Sequence, residues 1–298
     1  MRYTNKLIWC TAALALAAVS CKSQYDVLLS SNDVDAKYKA AFEYFDLKKY
    51  QKAASLFESM SVLTDGTDRD DTVQYYWGLS NYRFKDYITA EANFNKFIIT
   101  YPRSPFAEEA RFLRLDCLYR STYRYELDQN PTRVAINAIN EYITDYGGAN
   151  PHSQECSSML ADLYERLDHK AYEAAKLYFN MEDYKAARVA FRNTLKENSD
   201  NLYREDILYY IAKSSYKFAQ LSVASMQKER YMTFMDDYLN FVGEYPQSQY
   251  MKELKTLYFR AQKAIGKSVG SDENMDRKDK DFLRERKHEA KAARVSEK

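Results

Sequence analysis

Trp77, Gly78, Tyr82, Asp86, Tyr87, Ala90, Phe94 and Pro102 set large, small and helix-ending residues at spacings that suit two antiparallel helices. Residues three or four apart share one face of a helix, so Gly78 and Ala90 mark where two backbones approach. Trp77 and Phe94 then fill the space around that approach. Pro102 closes the second helix, because proline lacks the amide hydrogen that would continue it. Lys37, Ala40, Ala41, Tyr44, Tyr50, Ala53 and Phe57 repeat the spacing, with Lys48 and Lys49 in the turn, and Ala174, Ala175, Tyr178, Asp183, Tyr184, Ala187 and Phe191 repeat it again. A hairpin of this kind keeps an apolar face that only a neighbouring hairpin can cover, so a chain with several copies stacks them.

The copy around Trp77 resembles the tetratricopeptide pattern. Weaker copies are expected at 111–125 with 133–146, joined by a long loop around Asp128-Gln129-Asn130-Pro131, and at 204–220 with 229–242. Residues 153–167 read as a first helix leading into the Ala174 copy, and 249–264 as a closing helix. Tyr101-Pro102-Arg103-Ser104 and Tyr245-Pro246-Gln247-Ser248 recur after second helices, where proline stops one helix and serine is suited to N-cap the next. The expected fold is therefore all-α: a right-handed solenoid of about five hairpins plus a closing helix over 34–265. Seven glycines and five prolines in 298 residues are too few for the turns of a sandwich or barrel, which agrees with this.

Charge and residue chemistry narrow the function classes. Forty-four Lys+Arg against 43 Asp+Glu provide no field of one sign, so no nucleic-acid partner is expected. His152, His169 and His288 stand far apart without partners at metal-ligand spacing, and no phosphate loop, nucleophile elbow or HExxH sequence occurs. No metal, no cofactor and no catalytic activity are expected. Cys117 and Cys156 fall beside Leu115, Leu118 and Met159, where a thiol serves as a small buried hydrophobe rather than half of a disulfide.

The N-terminus carries an address. Residues 1–20 join a basic start to an apolar run from Leu7 to Val19, too short to span a bilayer and shaped as a signal peptide. Ala18-Val19-Ser20-Cys21 resembles the lipobox of bacterial lipoproteins, with Ala18 where leucine is commoner, so Cys21 is the expected lipidation site. Fatty chains on that sulfur would hold the protein to a membrane without spanning it. Lys22 follows where aspartate, in well-studied envelopes, favours the inner membrane, which points to the periplasmic face of the outer membrane. Residues 21–33 read as a lipidated tether, and 266–298 as a charged, disordered tail.

A lipobox-like Cys21, about five hairpins and the Tyr-Pro-x-Ser junctions together resemble the BamD-type outer membrane protein assembly lipoproteins. The resemblance runs from Cys21 to Ala264; the loop at Asn130-Pro131 and the tail depart from it. It implies a non-enzymatic part in outer-membrane β-barrel assembly, with two kinds of partner: a BamA-like insertase with periplasmic domains, and unfolded outer-membrane β-barrel proteins. In such a solenoid, Tyr38, Phe42, Phe45, Tyr75, Leu79, Tyr82 and Arg83 are expected to turn towards a concave groove for a substrate peptide, with Arg83 pairing its terminal carboxylate. The alternative for such aromatics at helical spacing is the core. The alternative function is another tetratricopeptide envelope lipoprotein, such as a glycan-binding partner of a nutrient transporter, although such chains are longer. A lytic enzyme would need a catalytic domain for which no residues remain.

Overall fold

The computed structural model of the chain describes residues 24–147 and 151–266. The expected signal peptide, the lipidation site Cys21 and the tail beyond Gly266 lie outside the described residues.

All regular structure among the described residues is helical. A short α1 (Gln24–Ser30) precedes five hairpins. These are α2 (Val34–Asp46) with α3 (Tyr50–Met60), α4 (Asp70–Phe84) with α5 (Tyr87–Thr100), and α6 (Ala107–Arg120) with α7 (Asn130–Tyr146); then α8 (Ser153–Asn180) with α9 (Tyr184–Glu197), and α10 (Arg204–Gln220) with α11 (Ala224–Glu244). The closing helix is α12 (Met251–Ala264). From α2 to α7 each helix packs on the next, as do those from α9 to α12, which is the packing of a helical-repeat solenoid. The chain divides into two compact units, after Tyr123 and again after Leu160, with Arg124–Glu126 belonging to the second.

Two segments depart from the expectation. Gln24–Ser30 lies in the stretch read as a tether, yet it is helical, and Tyr25, Leu28 and Leu29 pack against the core of the first hairpin. The tether reading rested on polar residues and overlooked that three apolar ones share a face. Residues 153–167 do not form a separate helix before the Ala174 copy. They are the first half of α8, which runs unbroken for 28 residues because neither glycine nor proline interrupts it.

Three of the hairpins reverse through one recurring turn. In each, a residue in the left-handed conformation ends the first helix: Lys48 (φ 58°), Lys85 (φ 69°) and Glu182 (φ 61°). The following amide donates to the carbonyl five residues back, Lys49 to Tyr44, Asp86 to Asn81 and Asp183 to Tyr178, which is the Schellman closure. A tyrosine then opens the second helix edge-on to an aromatic of the first. The pairs are Phe45 with Tyr50 at 5.4 Å, Tyr82 with Tyr87 at 5.8 Å and Phe179 with Tyr184 at 5.3 Å. Asp86 and Asp183 cap their helices by accepting from the amides of Thr89 and Ala186. Lys49 occupies the same position in the first hairpin and provides no side-chain cap. A cation there also opposes the partial positive charge of the helix start.

Within the first unit, α4 and α5 meet where the sequence places their small residues. Gly78 lies under the Phe94 ring so closely that a Cβ would stand 2.9 Å from Phe94 Cε1, and Ala90 is wholly buried. Trp77 does not join Phe94 in this contact; it packs against the core of the first hairpin, so the same helix serves two layers. The Tyr-Pro-x-Ser junction adds polar ties to that packing. Tyr101 Oη donates to buried Asp70 at 2.6 Å, and Ser104 Oγ donates to Asp71 at 2.8 Å while accepting from the amide of Phe106. The serine thus makes a turn ahead of α6 rather than the N-cap itself. In the second unit Tyr250 Oη donates to Asp206 at 2.5 Å, and Asp237 accepts from Arg188, Arg192 and Ser215, joining α9, α10 and α11.

Gly78→Ala is expected to lower stability by about 1–2 kcal/mol in urea unfolding, because overpacking against Phe94 outweighs the roughly 1 kcal/mol gained in helix propensity. In a Phe94→Leu background the same change should be neutral or stabilising; equal losses in both backgrounds would refute the contact. Lys49→Asp is expected to stabilise the fold by about 1 kcal/mol by restoring the cap, measured as a raised urea midpoint.

Candidate functional site

The seven groove candidates all lie in the first unit, on α2 and α4, and the structure sorts them by exposure. Phe42 sits between Phe57 at 5.2 Å and Tyr76 at 4.7 Å, and Phe45 contacts Tyr50 and Tyr76. Tyr76 thus ties the first hairpin to the second. Tyr38 lies beside Phe42 at 4.9 Å and beneath the guanidinium of Arg69 at 5.0 Å, which itself pairs with Asp35. Phe42, Phe45 and Tyr38 are half-buried, each with part of a ring left to solvent.

Tyr75 is corrected to a core residue. It is 6% exposed and stacks on Phe106 at 4.5 Å, between Phe94 and Phe97. Burial pushes its phenol above the ordinary tyrosine range. The repeat places position 75 on the face that meets α5 and α6, which a register drawn from two copies cannot separate from the face one residue on. Leu79 packs half-buried against the same cluster. Tyr82 is half-buried, and its hydroxyl donates to Asp116 at 2.6 Å; that buried carboxylate also receives Arg120 Nε at 2.5 Å. Sequence reading passed over Asp116, whose partners come from 34 residues away and from its own helix.

Arg83 is the one exposed candidate, in the last turn of α4, and it makes no ion pair with a described residue. It borders a shallow basin of about 350 Å³ lined by Lys48, Lys49, Lys52 and Lys85 along with Tyr50 and Phe84. The sequence reading treated Lys48 and Lys49 only as a turn, and the convergence with Lys85 needs the two hairpins side by side.

The remaining candidates for chemistry have structural surroundings. His152 stacks on Phe112 at 3.6 Å with Nε2 3.1 Å from Glu109, and His169 stacks on Tyr125 at 3.9 Å. Among the described residues no three His, Cys, Asp or Glu side chains converge as a metal site. Cys117 and Cys156 are free and buried, and burial pushes the Cys117 thiol up to about 12. No described helix is long and apolar enough to cross a membrane.

What the arrangement offers is surface: partly buried aromatic side chains along first helices, and a basic basin at the turns. The family model described as YfiO, outer membrane lipoprotein, matches residues 31–231, from just before α2 into α11. The chain belongs to this family. It is thus an outer membrane lipoprotein built from tetratricopeptide-type hairpins, the family its N-terminal motif and repeats resemble, and such repeats are scaffolds for protein–protein interaction. No match was found among curated proteins. Among solved structures the chain is similar to the TPR2AB domain in the pHSP90 complex of yeast Sti1, at 13% identity and a TM-score of 0.34, covering 77% of this chain and 98% of that one.

Proposed function

We propose that the chain is a non-enzymatic component of the machinery that assembles β-barrel proteins in the outer membrane. Export removes residues 1–20, acylation of Cys21 anchors the mature chain, and the helical repeats face the periplasm. They bind a BamA-like insertase through its periplasmic domains and unfolded barrel proteins as substrates. The observation that carries this reading is the family match over 31–231, immediately behind a lipobox-like sequence.

The first unit supplies the surface for the substrate. Tyr38, Phe42, Phe45, Leu79 and Tyr82 each leave part of an apolar side chain open, and aromatic rings receive an extended peptide's apolar side chains at little cost in conformational entropy. Arg83, exposed and in no ion pair with a described residue, meets a carboxylate such as the one that ends a chain. No observation favours a glycan ligand.

Affinity purification of the lipidated protein from detergent-solubilised envelopes is expected to recover an outer-membrane insertase with periplasmic repeat domains. Recovery of a nutrient transporter in its place would overturn the assembly role. Arg83→Ala is expected to weaken binding of a barrel-protein C-terminal peptide by roughly tenfold, as for loss of one charge-assisted hydrogen bond of about 1.5 kcal/mol; unchanged affinity removes Arg83 from the peptide site.

A further inference from the structure

The basin at the first two hairpin turns gathers four lysines that the proposed assembly role leaves unexplained. Lys48, Lys49, Lys52 and Lys85 are all exposed, and none makes an ion pair with a described residue. Lys49 and Lys52 lean over the Tyr44 ring at 5.8 and 5.5 Å, which holds two of the positive charges in place without neutralising them. Leu47 and Phe84, each one residue before a left-handed lysine, stand 63% and 48% exposed. Cations around exposed apolar side chains are the composition of a surface that meets lipid headgroups and the acyl boundary beneath them.

The fold does not demand these lysines. The same turn in the fourth hairpin is built with Glu182 where the first two have Lys48 and Lys85, and it closes through the same backbone hydrogen bonds. At the next position the second and fourth hairpins have capping aspartates, and the first has Lys49, which leaves its helix uncapped. The lysines therefore stand where an acidic residue serves the turn equally well, or better.

The chain's own geometry brings this basin close to the lipid anchor. Tyr25 Oη donates to the backbone carbonyl of Lys52 at 3.1 Å, and Lys52 Nζ lies 4.9 Å from the Tyr25 ring centroid. Cys21 precedes Tyr25 by four residues, a length of chain that reaches at most about 14 Å. We propose that Lys48, Lys49, Lys52 and Lys85 form a docking surface for the anionic headgroups of the membrane that holds the anchor, orienting the first unit on the lipid. This rests on the acylation of Cys21 proposed above. One or two acyl chains fix only a point of attachment, and a patch of several cations beside it supplies the second contact that sets orientation.

The test uses the full lipidated chain reconstituted into vesicles of phosphatidylcholine alone or with phosphatidylglycerol, with lysine acylation followed by mass spectrometry. Lys48, Lys49, Lys52 and Lys85 are expected to react about fivefold more slowly on the anionic vesicles, by roughly 1 kcal/mol of attraction per lysine at an anionic surface, and the difference should vanish at high salt. In a Lys48→Glu, Lys49→Asp, Lys85→Glu variant, Lys52 should lose its protection while the urea midpoint does not fall, which separates lost docking from lost folding. Equal labelling on both vesicles overturns the proposal, as does protection by poly-glutamate peptide with none by anionic lipid. The intact mass of the Cys21 peptide reads acylation independently. If that cysteine is unmodified, flotation of the same protein with anionic but not neutral vesicles still supports the patch, and no flotation overturns it.

Discussion

A helix that must double back within three residues has few ways to satisfy its last carbonyls, and this chain uses one of them three times. The left-handed residue, the amide returning five residues and the edge-on aromatic pair determine both the reversal and the distance between the two helices. Once that spacing is set, small residues are required where the backbones approach, which is why Gly78 lies against Phe94 and why Ala41, Ala53, Ala90 and Ala187 are wholly buried. Within each unit a hairpin then presents an apolar outer face, and stacking on a neighbouring hairpin buries it. The repeat follows from the turn as much as from the core.

Polar groups specify where the stacked hairpins meet. Asp70, Asp116 and Asp237 are carboxylates at 4%, 3% and 6% exposure, and each is met by hydroxyl or guanidinium donors from other parts of its unit. Uncompensated, such a charge would cost several kcal/mol; fully bonded, it penalises any register that separates it from its donors. The phenols of Tyr82 and Tyr101 are held above the ordinary tyrosine range by burial and by the carboxylates they bond, and that of Tyr250 by its bond to Asp206 and by burial. They remain neutral donors across the physiological range. Part of the chain's complement of 28 tyrosines thus serves these joints.

The hairpins around Ala53, Ala90 and Ala187 were legible in the sequence because small and aromatic residues there fall at helical spacing on both sides of a short turn. The junctions after Tyr101 and Tyr245 were legible because proline can do little else. Other features were hidden for identifiable reasons. The docking of α1 depends on Tyr25, Leu28 and Leu29 meeting a surface built by residues further along the chain, from Ala41 to Val73, and seven residues read alone do not announce that. Tyr75 and Tyr76 are adjacent and identical in chemistry, yet only the first is enclosed, because adjacent positions on a helix point about 100° apart and a register error of one residue exchanges core for surface. The carboxylate hubs are invisible to periodicity, since an aspartate among helical polar residues looks like any solvated charge until its donors arrive from distant helices. Arg83 was legible as an exposed cation but not as one of five.

The left-handed turn position has one further property. Because lysine and glutamate occupy it with the same backbone, its side chain is decoupled from the energetics of the core. Surface potential along the turns can then drift or be selected without any compensating change in packing. A solenoid of this kind carries a writable margin, in which successive repeats keep a common interior while acquiring different electrostatic identities at their turns. Diversification of binding within such a lineage would proceed through that margin first, long before any residue beneath it had to change.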